Sequence, residues 1–222
     1  EIPPKLQIDA RTQLKDLITK HLREDGVSFK DCSEFSNPTR LSIHLKGIPD
    51  KIKIRSREIK GPKAGVSTNI IDAFAKSHDV TKQSLLIKKT EKGEFYFTKT
   101  KEKIILVEDL LKKNIPKILS SISWKKSMKW STNDMLWGRP LRSIFSSFNG
   151  KKLYFKYHHL ETTDNVIIEQ DLIVKSKKVK NFKEYTAFLK ANNILIDQNE
   201  RKTIILKKFN SYLKTKGYKT SS

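Results

Sequence analysis

All three tryptophans of this chain fall within fourteen residues, and cations are set between them. The run is Trp124-Lys125-Lys126-Ser127-Met128-Lys129-Trp130, followed by Trp137-Gly138-Arg139-Pro140-Leu141-Arg142. Aromatic faces beside ammonium and guanidinium groups suit base stacking and phosphate contact. The same spacing has a second reading, in which the tryptophans anchor a core and the lysines are simply solvated, and for Trp that is the commoner arrangement.

No other constellation offers chemistry of its own. The eight glycines are not grouped as a phosphate-cradling loop requires. The histidines are His21, His44, His78, His158 and His159, and no pair has the spacing of a zinc-binding helix. His158 and His159 are adjacent, so on a strand they would point to opposite faces and could not chelate together. Glu108-Asp109 falls on an expected helix surface, where solvation explains a carboxylate pair. Cys32 is the single cysteine, which rules out an internal disulfide and a zinc site built on thiolates. With only Lys30 as a basic neighbour, it reads as an inert, part-buried thiol.

Composition narrows the partner class. Forty-six Lys and Arg against 24 Asp and Glu give a net charge of +22, which attracts a polyanion such as RNA with strong salt dependence. Only eight of the cations are Arg, and that Lys excess is also what an AT-rich genome produces whatever the partner. A hydrophobic fraction of 36%, with 11 Phe and 6 Tyr, supports a packed core rather than a disordered basic tail. No apolar run approaches the ~20 residues of a membrane span, and the opening residues are not a signal peptide. The chain starts without Met, as a segment from within a longer reading frame would. A soluble, cytoplasmic protein is expected.

The elements that must position these residues are mixed in order, which predicts an α+β fold. Helical periodicity covers Leu6 to Glu24, 69–77, Ile104 to Ser121 (with Pro116 expected to restart or kink it) and two stretches within 182–213. Alternation predicts strands at Ser28 to Phe35 and Arg40 to Leu45 around Ser36-Asn37-Pro38-Thr39, and at Lys51 to Glu58. Hairpins are expected around Glu91-Lys92-Gly93, and around Asn149-Gly150 between Leu141 to Phe148 and Lys152 to Tyr157. Residues 175–222 hold thirteen Lys and Arg against three Asp and Glu. An α+β body over 1–165 is therefore expected, followed over 166–222 by a basic, mainly helical extension or the start of the next domain, with Lys175 to Lys180 as a linker or solvated strand edge.

Several segments, in this order, carry a family resemblance: Glu1-Ile2-Pro3-Pro4, Phe35-Ser36-Asn37-Pro38-Thr39-Arg40-Leu41, Lys60-Gly61-Pro62, Lys92-Gly93-Glu94-Phe95, and Lys125 to Trp130 with Arg139-Pro140-Leu141-Arg142. Over roughly residues 1–165 they resemble the beta subunit of bacterial heterotetrameric glycyl-tRNA synthetase. The sequence departs from that pattern at Lys125, where Pro is expected, and at Ser143, where Trp is expected. It departs again at Asp164-Asn165-Val166-Ile167, in place of a Gly-His-Arg-Phe-like stretch.

The resemblance implies an N-terminal fragment of a holoenzyme that joins glycine to its tRNA with ATP and magnesium. The class II catalytic domain is then in the alpha subunit, and no cofactor is expected in this chain. Its partners would be the alpha subunit and glycine tRNA. The family's degenerate HD-like and anticodon-binding domains would lie beyond these 222 residues. Arg40, Lys126, Lys129, Arg139 and Arg142 are the candidate tRNA-facing residues. The arginines stand out because Arg is scarce here and presents two parallel donors to a phosphate. They could equally pair with buried carboxylates or carbonyls and hold strands in place. Charge alone also fits a stand-alone RNA-binding or ribosome-associated protein.

Overall fold

The computed structural model of the chain describes residues 1–54, 56–99, 102–130, 135–170 and 173–218. About 37% of the described residues are helix and 32% strand, an α+β mixture built largely of antiparallel pairs, in line with the mixed element order. It divides into two compact units, Glu1–Asp50 with Val107–Ser222, and Lys51–Leu106. The composition change near Val174 lies inside the first unit.

Helix α1 (Pro4–Glu24) begins with Pro in its first turn, where the missing N–H costs nothing. Ala10, Ile18 and Leu22 are buried along one stripe, with Leu14 and Leu17 partly so. The helix stops at Gly26, whose φ of 72° is left-handed. Gly26 N–H then donates to Arg23 and Val27 N–H to Leu22, a Schellman closure that buries Val27. Strands β1 (Asp31–Asn37) and β2 (Arg40–Lys46) form the expected hairpin, with Asn37 opposite Arg40. The Asn37 carboxamide accepts from Thr39 N–H at 3.0 Å and fixes the Pro38-Thr39 turn.

In the second unit, β3 (Lys51–Ile54) and β4 (Glu58–Lys63) replace the single strand expected over Lys51 to Glu58. After β4 come α2 (Thr68–Ser77), then β5 (Leu86–Thr90), β6 (Gly93–Lys99) and β7 (Lys103–Leu106). Strand β3 pairs with β7, whereas β4, β6 and β5 form a three-stranded sheet with β6 in the middle. Of the expected strand only Lys51–Ile54 is β3, and its last residue, Glu58, opens β4 in a different sheet. Ile71 and Ala75 of α2 pack with Leu85, and Tyr96 of β6 is partly buried against them.

Helix α3 (Val107–Ser120) starts later than its periodicity suggests, because Ile104 to Leu106 are drawn into β7. Glu108 and Asp109 occupy its first turn, where carboxylates offset the helix dipole. The helix runs through Pro116 without a restart. Proline removes one hydrogen bond there, and the burial of Leu111 and Ile118 around it offsets that loss.

Short strands follow: β8 (Met128–Lys129), β9 (Leu136–Trp137), β10 (Ile144–Phe145), β11 (Ser147–Phe148), β12 (Lys151–Lys152), β13 (Lys156–Tyr157) and β14 (Leu160–Thr163). The Asn149-Gly150 hairpin exists, with φ of 50° and 75° as its tight turn demands, but it joins only β11 to β12. The longer strands expected there are split, since Ile144-Phe145 instead runs parallel to Thr162-Thr163. His158 and His159 form the two-residue turn between β13 and β14 rather than lying on a strand.

Hairpin β15 (Asn165–Gln170) and β16 (Ile173–Lys178) precedes α4 (Phe182–Ala191) and α5 (Gln198–Lys216), so the two helical stretches stand where periodicity puts them. Asn181 caps α4 by accepting from Glu184 N–H, and Asp197 caps α5 by accepting from Asn199 and Glu200. Val166, Ile168, Val179, Tyr185, Leu189 and Ile196 make one core of this unit. Ala10, Ile122, Met135, Trp137 and Tyr157 make another.

Cys32 is buried on β1, and desolvation pushes its thiol up to about 11. The native chain should therefore resist a disulfide-exchange reagent at about pH 8, while the unfolded chain reacts with one equivalent. Rapid modification of the folded chain would contradict this placement.

Candidate nucleic-acid interface

The structure separates the aromatic and cationic halves of the Trp-Lys-Arg segment. Trp137 is buried, and Trp124 and Trp130 pack against the same cluster. The rings of Trp124 and Trp137 lie 5.0 Å apart, and that of Tyr157 stands edge-on to Trp137 at 6.1 Å. Trp130 donates its indole N–H to the Trp137 carbonyl at 2.9 Å. Gly138 is required beside this stack, because a Cβ there would run into the six-membered ring of Trp124. The tryptophans are core residues, and the stacking reading of their spacing is not what they do.

The cations between them point the other way. Lys126 and Arg139 are exposed and have no ion-pair partner among the described residues. Lys129 is exposed on β8, opposite Leu136 of β9, and is also engaged within the chain. Lys125 reaches back to Asp9 of α1 at 2.9 Å. Three of the five candidates thus flank the β8–β9 ladder, whose inward side is the tryptophan cluster.

The other two converge on β15. Arg40 is half-buried and donates to the Ile167 carbonyl, with a second bond to Thr39 Oγ1 at 3.0 Å. Next to it, Ser42 Oγ and the Tyr185 hydroxyl are 3.0 Å apart, and burial pushes that phenol up. Arg142 is highly exposed and pairs with Glu169, two residues beyond Ile167. An exposed pair of this kind contributes about 0–1 kcal/mol, so Arg142 can exchange Glu169 for another anion at little cost. Arg40 cannot leave as cheaply, since its departure strips a charged donor from a strand carbonyl.

Among the described residues, no group of three His, Cys, Asp or Glu is placed to hold a metal ion. None of the helices described is long and apolar enough to cross a membrane. None of the five candidates lies within residues 51–106. Phe95-Tyr96-Phe97 is a run of three consecutive aromatic residues, a signal legible in the sequence, which a strand would place on alternate sides.

Arg40→Ala should lower the unfolding free energy by about 2 kcal/mol. Arg139→Ala should stay within about 0.5 kcal/mol of the parent. Chemical denaturation of the two variants checks both values, and equal losses would remove the distinction between the supporting and the exposed arginine.

A family model described as glycyl-tRNA synthetase beta subunit matches residues 1–222. The chain is 30% identical over 206 residues to the glycine–tRNA ligase beta subunit of Rickettsia canadensis, covering 92% of this chain and 31% of that protein. It is 31% identical over 207 residues to that of Rickettsia prowazekii, again covering 92% and 31%. To that of Dictyoglomus turgidum it is 27% identical over 213 residues, covering 93% and 31%. The chain spans about 31% of the length of these curated relatives. With a match that runs through both compact units, this chain belongs to the glycyl-tRNA synthetase beta subunit family.

Proposed function

We propose that this chain is the N-terminal part of the beta subunit of a cytoplasmic glycine–tRNA ligase and contributes tRNA and subunit binding to ATP-dependent aminoacylation. Catalysis, with its ATP and magnesium, belongs in this reading to an alpha subunit within a heterotetramer. The observation that carries it is the division of labour around β8 and β9. Trp124, Trp130 and Trp137 hold the surface from within, while Lys126 and Arg139 stand exposed without an ion-pair partner among the described residues. In a chain of net charge +22, such cations suit a phosphate backbone.

Lys126, Lys129, Arg139 and Arg142 supply phosphate contacts in this reading. Arg40 borders the surface and holds the β1–β2 hairpin to β15. Phosphate contacts position a tRNA without reading its sequence, so identity of the tRNA is left to other parts of the holoenzyme.

Two measurements test this. Binding of glycine tRNA by the chain should weaken with salt, and Arg139→Ala should reduce the slope of log affinity against log salt by roughly 0.7–0.9. An unchanged slope for both Arg139→Ala and Lys126→Ala would overturn the surface. Glycine-dependent pyrophosphate exchange should be absent from the chain alone and present once the alpha subunit completes the enzyme. Exchange by the chain alone would overturn the assignment of catalysis.

A further inference from the structure

With the tryptophans committed to a core, aromatic faces for unpaired bases must come from elsewhere, and the second unit has them. Central strand β6 alternates Phe95, Tyr96 and Phe97. Tyr96 packs toward Ile71, Ala75 and Leu85, so the side of the sheet that meets α2 is filled. Phe95 and Phe97 lie on the opposite side and are partly exposed. Their cross-strand partners are basic or apolar: Lys63 and Lys88 flank Phe95, and Lys60 and Leu86 flank Phe97.

We propose that this open face of the β4–β6–β5 sheet is an RNA-contact surface that stacks unpaired nucleotides on Phe95 and Phe97. The proposal rests on the reading of the chain as a tRNA-binding subunit and assigns it a second, chemically different contact. Lys60 Nζ sits 3.5 Å from the centre of the Phe95 ring, and Lys88 Nζ 5.6 Å from that of Phe97. The Lys63 stem lies close over Gly93, where a Cβ would come within 3.2 Å of its Cε. Each ammonium rides on a flexible four-carbon stem. When a base takes the ring face, the ammonium can move to the adjoining phosphate and keep its charge compensated.

The chemistry of the face selects the occupant. Residues 51–106 hold fourteen Lys and Arg against six Asp and Glu. On this face Glu58 is the carboxylate of the paired strands, and it is already bound to Lys88. An apolar protein partner would have to desolvate several ammonium groups to reach the phenylalanines, which is costly. A nucleotide brings the ring and the anion together. Duplex RNA does not fit as well, because its bases hide their faces in their own stack.

The test uses the full 222-residue chain and two probes of equal phosphate count. One is a single-stranded RNA of roughly ten nucleotides carrying 2-aminopurine, and the other is a blunt RNA duplex. Phe95→Leu with Phe97→Leu should weaken the single strand about five-fold or more and abolish fluorescence quenching, with duplex affinity unchanged. Phe95→Tyr with Phe97→Tyr should restore both, which separates loss of stacking from loss of fold. Unchanged single-strand binding in the Leu variant, or an equal loss for both probes, overturns the proposal. So does a chain that self-associates in sedimentation while the Leu variant is monomeric, since the face would then belong to a second copy. A chain that binds glycine tRNA through Lys126 and Arg139 yet ignores both Phe changes overturns this inference alone. One with no affinity for RNA overturns both readings.

Discussion

Strand β1 pairs with β2 on one side only, so its other edge presents backbone groups that burial would leave without water. Ser36 sits at that edge with no exposed surface. Its carbonyl accepts from Arg201 Nη2 at 2.7 Å, its hydroxyl from Arg11 at 3.1 Å, and its N–H donates to Gln198 Oε1 at 3.4 Å. Gln198 also donates to the Glu34 carbonyl at 3.2 Å. Side chains from α1 and α5 thus do the work of a missing strand. Arg201 holds the Leu195 and Ile196 carbonyls at the same time, at 2.6 and 2.9 Å, so the edge and the loop before α5 are fixed by one guanidinium. The hairpin is then clamped from its other strand, where His44 stacks on Phe182 at 4.0 Å and Ser42 meets Tyr185. Arg40 belongs to this same clamp, which is why its role differs from that of Arg139.

What could be read from the sequence follows the range of the forces involved. Helix periods, the Asn37-Pro38-Thr39 turn and the Asn149-Gly150 turn are set by neighbours a few residues apart, and each stands where its residues place it. The independence of residues 51–106 could not be read, because it is fixed by Lys51 pairing with Leu106 across the whole insertion. The apolar run Ile104 to Leu106 is compatible with helix or strand until its partner Lys51–Ile54 is known. The same limit applies to the candidate surface. Arg40 stands out by type as a phosphate-binding candidate, and in the fold it donates to the Ile167 carbonyl, 127 positions away. Nothing local distinguishes it from Arg139, which is exposed.

The aromatic residues show how position, rather than type, decides between packing and contact. Trp124, Trp130 and Trp137 share a segment with five cations and still turn inward, because Met135, Ala10 and Ile122 offer them a common apolar cluster. Phe95 and Phe97 are smaller, stand on the side of their sheet opposite Tyr96, and are partly exposed and within reach of lysine ammonium groups.

Charge gives the last link between the fold and a polyanion. The chain carries +22, and its ion pairs lie mostly at exposed positions, such as Lys53 with Glu102 and Lys112 with Glu108. Pairs of that kind contribute little, and 22 of the 46 positive charges have no carboxylate to balance them. Self-repulsion of this kind works against the compact state, and the cores built by Trp137 and by Leu189 must hold against it. A bound polyanion relieves that repulsion and stabilises the folded form through mass action. Lysines placed on ring faces, as Lys60 is on Phe95, lower the local cost in the free state without removing the charge. On the proposed function, the excess of cations over carboxylates, tolerable in the free chain, would become favourable once a polyanion is bound.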